Sequence, residues 1–278
     1  MLIKEIQNLN PGMCVVVTNG AKQALSAALY ALHDATKHAV YHSAPYWPSF
    51  PTLANLEHLG FVCDWPRFAG LYISILTRPN NPNGYDTNGY ASCDIWDAAY
   101  ASDLYGFKKE DEPVYKIKIE SASKMFGLSG SRIGWALCYD AYTATKMAEY
   151  VELHTSGVCV PAQRKVAACL ANLDKLQTGF DKARRELLIN ADIFWQNLGG
   201  FVDQVEGVPD NGTGMFAWFK IYPDVSIQFV QALETAKVRL IEGAACGIPG
   251  YWRMSMAQDP DLTYQALSGI KKAIYANR

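Results

Sequence analysis

Little in this chain ties it to a membrane, to nucleic acid or to an oxidising compartment. No apolar run approaches the roughly 20 residues that a bilayer-spanning helix needs. Lysine and arginine total 25 against 27 aspartates and glutamates, a formal charge of −2. With no basic block or stripe, an electrostatic nucleic-acid binder is excluded. Met1–Gly12 lacks the apolar core of a signal peptide, so a cytoplasmic protein is expected. The seven cysteines (14, 63, 93, 138, 159, 169 and 246) are scattered, with no Cys-x-x-Cys pair. They read as reduced thiols in core positions, not as a disulfide frame or a metal site. His33, His38, His42 and His58 are close only in sequence, and helix or loop positions explain them better than a metal does. No repeat and no low-complexity linker interrupts the chain, and Asn211-Gly-Thr213 reads as a turn.

What is present is length and apolar content: 278 residues, half of them hydrophobic, enough for one large core or two unequal domains. Short apolar stretches at Met13–Thr18, Ala39–His42, Phe61–Asp64, Leu71–Thr77, Cys93–Trp96, Tyr115–Glu120 and Ile133–Tyr139 read as strands. Helical pattern lies between them at Ala21–Asp34, Phe50–Leu59 and Ala141–Ser156. This alternation predicts an α/β fold, a mostly parallel central sheet with helices on both faces. Pro161–Leu173 and Gly179–Leu198 read as long helices. The second leads into a smaller α/β part with strands at Val238–Ile241 and Trp252–Ala257 and a helix at Leu262–Ala276. The expected division is a large domain over 1–178 and a small one over 179–278.

Chemistry concentrates in Ser121-Ala-Ser-Lys-Met-Phe-Gly-Leu-Ser-Gly-Ser-Arg132. Lys124 follows a strand, hydroxyls flank it at Ser121 and Ser123, and Arg132 lies eight positions on. A lysine held in a dry site can bond an aldehyde cofactor as a Schiff base. Hydroxyls and a guanidinium are the groups that hold a phosphate. Thr18-Asn-Gly-Ala-Lys-Gln-Ala-Leu25 adds a strand, a glycine turn and a helix start, which aim backbone N–H groups at an anion. In the same order come Ala44-Pro-Tyr-Trp-Pro-Ser-Phe50, Thr77-Arg-Pro-Asn-Asn-Pro-Asn-Gly84, Asp94-Ile-Trp-Asp-Ala-Ala-Tyr100 and Tyr251-Trp-Arg-Met-Ser-Met-Ala257.

In this order the segments resemble the fold-type I pyridoxal-phosphate enzymes of aminotransferase class I/II. Ser-Gly-Ser-Arg-Ile-Gly-Trp-Ala-Leu (129–137) looks most like the alliinase and tryptophan-aminotransferase-related branch. The resemblance runs from about Met13 to Ala257. It implies that Lys124 carries pyridoxal 5′-phosphate, with Gly20, Ala21, Lys22, Ser121, Ser123 and Arg132 around the phosphate. It implies Trp47 stacked on the ring, Asn81 and Tyr100 on the phenolic oxygen, and Asp97 beside the pyridine nitrogen. Asp94, three residues away, serves as the control. Arg253 is implied to grip the substrate carboxylate, with Asn81 and Tyr46 or Phe50 lining the substrate pocket. Two departures stand out. Arg78 replaces the usual first Asn of the family loop, and the regions before Met13 and between Pro51 and Leu71 are short, which bears on closure over the substrate.

The implied activity is an aminotransferase using an L-amino acid and a 2-oxo acid, in a homodimer without metal. Trp47, Tyr46 and Tyr105 point to a neutral or aromatic side chain. The alternatives are a C–S lyase working by β-elimination, which needs the same Lys124–Asp97 machinery, and a shortened non-catalytic homologue that binds cofactor or a partner protein.

Overall fold

The computed structural model describes residues 1–64, 71–84, 92–102, 112–206, 215–221 and 227–276. Chain order begins with helix α1 (Leu2–Leu9), strand β1 (Cys14–Thr18), α2 (Ala21–Leu32), β2 (Ala39–Tyr41), α3 (Phe50–Leu56) and β3 (Gly60–Val62). Next come β4 (Tyr72–Thr77), β5 (Ser92–Asp97), β6 (Val114–Ser121), the short α4 (Ala122–Met125), β7 (Gly134–Cys138), α5 (Ala141–Thr155), α6 (Val160–Leu170) and α7 (Leu173–Leu198). The remainder is β8 (Val202–Glu206), β9 (Phe216–Ile221), α8 (Ile227–Thr235), β10 (Ile241–Glu242), β11 (Tyr251–Ser255) and α9 (Pro260–Ala276).

Among the described residues, seven strands form one sheet in the order β1-β7-β6-β5-β4-β2-β3. β6, β5, β4, β2 and β3 run parallel, and β7 lies antiparallel to both its neighbours. Period-two alternation puts apolar groups on both faces. Val16, Ile75, Ile117 and Ile119 pack under α2, α3 and α5. Val15, Val17, Trp135 and Leu137 pack against α1 and α6. The α/β class with a mostly parallel sheet and helices on both faces is therefore as the alternation indicated. A second sheet, β10-β11-β9-β8, is antiparallel throughout and shares a core with α7 and α9.

Some elements differ from the sequence reading. α1 was not anticipated, although Leu2 and Ile6, one helical turn apart, are its buried face. The long helix α7 begins at Leu173 rather than Gly179. β9 reads Phe-Ala-Trp-Phe-Lys-Ile, a nearly continuous apolar run that periodicity cannot assign to strand or helix. His42 lies in the loop after β2, as a loop reading expected, but it is buried. It caps β2 inside the core, 1% exposed, with Nδ1 donating to Ser43 O at 2.7 Å and Nε2 3.1 Å from the Thr77 hydroxyl. Burial pushes its pKa down to about 4. Of the cysteines, Cys138 and Cys246 are buried whereas Cys159 is exposed.

Candidate functional site

The carboxyl ends of four parallel strands, β2, β4, β5 and β6, lie side by side, and each is followed by one of the motif segments. β1, running the same way beyond β7, ends at Thr18 and delivers the glycine turn. This edge is where open α/β sheets gather ligands, because the loops leave the sheet together there. A cavity of about 430 Å³ opens at it. Its lining includes Ala21, Lys22, Trp47, Asn81, Asp97, Tyr100, Ser121, Ser123, Lys124, Arg132 and Arg253. Residues more than 230 positions apart in sequence are thereby brought to one space.

At one end the turn is shaped for an anion. Gly20 has φ +92°, and a Cβ there would lie 2.6 Å from Arg132 Nη2. A Cβ on Gly134 would meet Ala21 N at 2.5 Å, so both glycines permit α2 to start against β7 and Arg132. No side chain caps the N-terminus of α2, which leaves its dipole end to a ligand. Ser123 Oγ is buried without a hydrogen-bond partner, and Ser121 is 5% exposed. An orphaned hydroxyl, an arginine and an open helix start are a donor set that a phosphate fits.

The other groups carry distinct charge states. Burial pushes the Asp97 carboxyl up to about 6, against an opposing hydrogen bond from Ala99 N–H. A buried carboxylate of this kind is suited to a cationic partner such as a protonated ring nitrogen. Asp94 behaves differently. It bridges to Lys116 at 2.7 Å and accepts from Ser74, which holds its pKa below the ordinary value despite burial. Burial, then the positive charge of Arg253, lowers the Lys124 ammonium pKa and favours the neutral, nucleophilic amine. Lys124 Nζ lies 5.5 Å from the centre of the Tyr100 ring. The residues thus fit pyridoxal phosphate by chemistry: anion donors at one end, a buried carboxylate at the other, and an amine of lowered basicity between.

Arg253 comes from β11 in the second sheet, and Nη1 donates to Asn81 Oδ1 at 2.6 Å. Its Nε is buried without an acceptor, and burial lowers its pKa. Among the described residues no carboxylate pairs with it. Such a cation is short of an anion. Trp47 lines the cavity, with Lys22 Nζ 5.1 Å from its ring centre.

Two expected pocket residues stand back. Tyr46 packs edge-on against Phe61 at 4.8 Å and closely against Gly247. Phe50 is 1% exposed and packs between His42 and Trp47. Both support the loop rather than line the cavity, because the loop turns only Trp47 toward it. Tyr105 lies outside the described residues. Sequence reasoning missed Met215, Phe216 and Ser255, which also line the cavity. Phe216 and Ser255 are paired across β9 and β11, and the signal available was the apolar run 216–221.

Comparison with known proteins follows the same outline. The family model described as Allinase matches residues 8–191. Tryptophan aminotransferase-related protein 2 of Arabidopsis thaliana is 36% identical over 170 residues, 56% of this chain and 38% of that protein. A probable aspartate/prephenate aminotransferase of Aquifex aeolicus is 24% identical over 313 residues, covering 94% of this chain and 75% of that protein. The solved aspartate aminotransferase from Thermus thermophilus with maleate superposes at a TM-score of 0.81 with 20% identity, over 98% of this chain and 81% of that one. At that identity the likeness bears on the fold alone. The chain spans 38%, 35% and 41% of the lengths of the three tryptophan aminotransferase-related proteins it matches.

Proposed function

The chain belongs to the allinase family, within the fold-type I pyridoxal-phosphate enzymes, and from that premise we propose that it is an aminotransferase. It exchanges an amino group between an L-amino acid and a 2-oxo acid, and Met215 and Phe216 in the cavity lining favour a neutral or aromatic side chain. The observation that carries this reading is the convergence of Lys124, Asp97, Asn81, Arg132 and Arg253 on one cavity. Pyridoxal 5′-phosphate supplies an aldehyde for the amino group and an electron-withdrawing ring that stabilises negative charge at the substrate Cα.

The side chains do the rest. Ser121, Ser123, Arg132 and the start of α2 would hold the phosphate, with Gly20 keeping the backbone out of its way. Asp97 would stay ionised with the protonated ring nitrogen as partner, which would offset the cost of its burial. Trp47 would cover one ring face. Asn81 and Tyr100 would donate to the phenolic oxygen, Asn81 through Nδ2, since its Oδ1 accepts from Arg253. Arg253 orients the carboxylate of the amino acid, so that the Cα–H bond stands toward Lys124. Lys124, its basicity lowered by burial and by the charge of Arg253, would take that proton as general base; with the cofactor bound as acceptor of the amino group, hydrolysis would then release the oxo acid. Seven free cysteines support a reducing, cytoplasmic setting.

Spectroscopy tests the reading. With pyridoxal phosphate bound, an L-amino acid alone should remove the visible absorbance band, and 2-oxoglutarate or pyruvate should restore it, the mark of a two-step exchange. Lys124→Ala should lack the band altogether. Catalytic release of pyruvate and ammonia from S-substituted cysteines, with no acceptor-dependent recovery, would replace this reading with β-elimination. Absence of any spectral change with every amino acid would favour a non-catalytic binding role.

A further inference from the structure

Arg253 is held by an aromatic ring instead of a carboxylate. Its guanidinium carbon lies 4.4 Å from the centre of the Phe216 ring. Phe216 is 6% exposed and is itself fixed edge-to-face on Tyr100, ring centres 5.5 Å apart at 79°. The register explains the contact. Arg253 pairs with Trp218 and Ser255 with Phe216 across β11 and β9, so Arg253 and Phe216 are diagonal neighbours on one sheet face, within reach of long side chains. Asn81, from the loop after β4, accepts from Nη1 through Oδ1.

We propose that Phe216 is the positioning residue of the carboxylate site: its ring fixes the plane in which Arg253 meets the substrate carboxylate. The assignment rests on the aminotransferase reading above. The chemistry explains why an aromatic ring occupies this position. A cation over a ring face is attracted by the ring quadrupole without surrendering an N–H group. An aspartate in the same place would occupy the guanidinium fork and compete with the substrate. Phe216 holds the charge without occupying an N–H group, whereas Nη1 is engaged by Asn81. Its contact with Tyr100 also ties the orientation of Arg253 to the cavity wall beside Lys124.

The test compares Phe216→Leu and Phe216→Tyr in the cofactor-loaded protein, with L-phenylalanine, 2-phenylethylamine and 3-phenylpropionate as probes. Loss of the ring should raise KM for L-phenylalanine about 3- to 30-fold, the range of a partly desolvated cation–π contact, with kcat nearly unchanged. The dissociation constant of 3-phenylpropionate, measured by calorimetry, should weaken by a similar factor. The response to 2-phenylethylamine, which has no carboxylate, should not move, and Phe216→Tyr should restore wild-type values. If Phe216→Leu does not fold, Phe216→Met answers the same question with closer volume. Equal 3-phenylpropionate affinity in the wild type and a ring-less variant overturns the proposal. So does a loss that extends equally to the amine. A wild type that binds 3-phenylpropionate yet reacts with no amino acid overturns the aminotransferase reading and leaves the Phe216–Arg253 assignment to be judged on binding alone.

Discussion

Asp97 shows how a single residue is tuned at the expense of stability. Its carboxyl is raised to about 6 from 3.8 by burial, so in the cofactor-free protein its contribution is most favourable below pH 3.8 and is lost as pH rises through 6. Asp97→Asn should therefore stabilise the cofactor-free protein at pH 8 by about 3 kcal/mol, as read from urea unfolding. In the loaded enzyme the same change should raise the barrier to Cα proton transfer by about 2–4 kcal/mol, measured by single-turnover kinetics. Asp94→Asn should do the reverse, costing stability through the lost Lys116 and Ser74 contacts and leaving turnover nearly intact. Equal kinetic effects of the two would remove Asp97 from its assigned role. The sequence motif singled out Asp97, but its protonation behaviour depends on burial, which no local pattern encodes.

At the scale of elements, the anion cradle depends on the close approach of α2 to β7. Gly134→Ala would drive a Cβ into backbone at Ala21 and Gly20, which cannot yield as a flexible side chain would. We expect a loss of about 1–3 kcal/mol in stability and a larger fractional loss of pyridoxal-phosphate affinity, followed by tryptophan fluorescence titration. Gly130→Ala, where the added Cβ meets open space, is the control and should change stability by less than about 0.5 kcal/mol. Unaltered cofactor affinity in Gly134→Ala would show that the approach is not what shapes the cradle. The elements themselves were largely readable: the strands leading into the glycine turn, the Asn81 loop, Asp97 and Lys124 all lie within a residue or two of the expected bounds. β9 was not, because an apolar run becomes a strand only when β8 and β11 flank it.

Over the whole molecule, two buried groups with opposite linkage contribute to the acid response. His42, depressed to about 4, contributes stability that is complete above pH 6.5 and is lost as pH falls through 4. Asp97 runs the other way between 3.8 and 6. The two offset one another across pH 4–6 in the cofactor-free wild type. Asp97→Asn should unmask the histidine, so thermal unfolding of that variant should fall more steeply from pH 6.5 to 4 than the wild type does. Parallel curves would show that Asp97, the group that differs between the two proteins, does not titrate as its burial dictates. Association is a further property at this scale. The family resemblance leads us to expect a homodimer bordering the cavity, seen by light scattering as twice the 30.8 kDa chain mass; a 30.8 kDa species alone would contradict it.

The sequence by itself determined the α/β alternation, the order of the six motif segments and the residue types able to hold a phosphate, bond an aldehyde and bind a carboxylate. These are local properties: periodicity, turn chemistry and side-chain functional groups act within a few residues. Only the tertiary structure decided that Tyr46 and Phe50 support the loop while Trp47 lines the cavity, that His42 is a core residue, and that Asn81 and Arg253 meet at 2.6 Å. It also decided that Phe216 lies beneath Arg253. Burial, strand register and contacts between the two sheets depend on chain segments distant in sequence, 35 positions for His42 and Thr77 and 172 for Asn81 and Arg253. Those long-range partners set the final orientation and charge of each group.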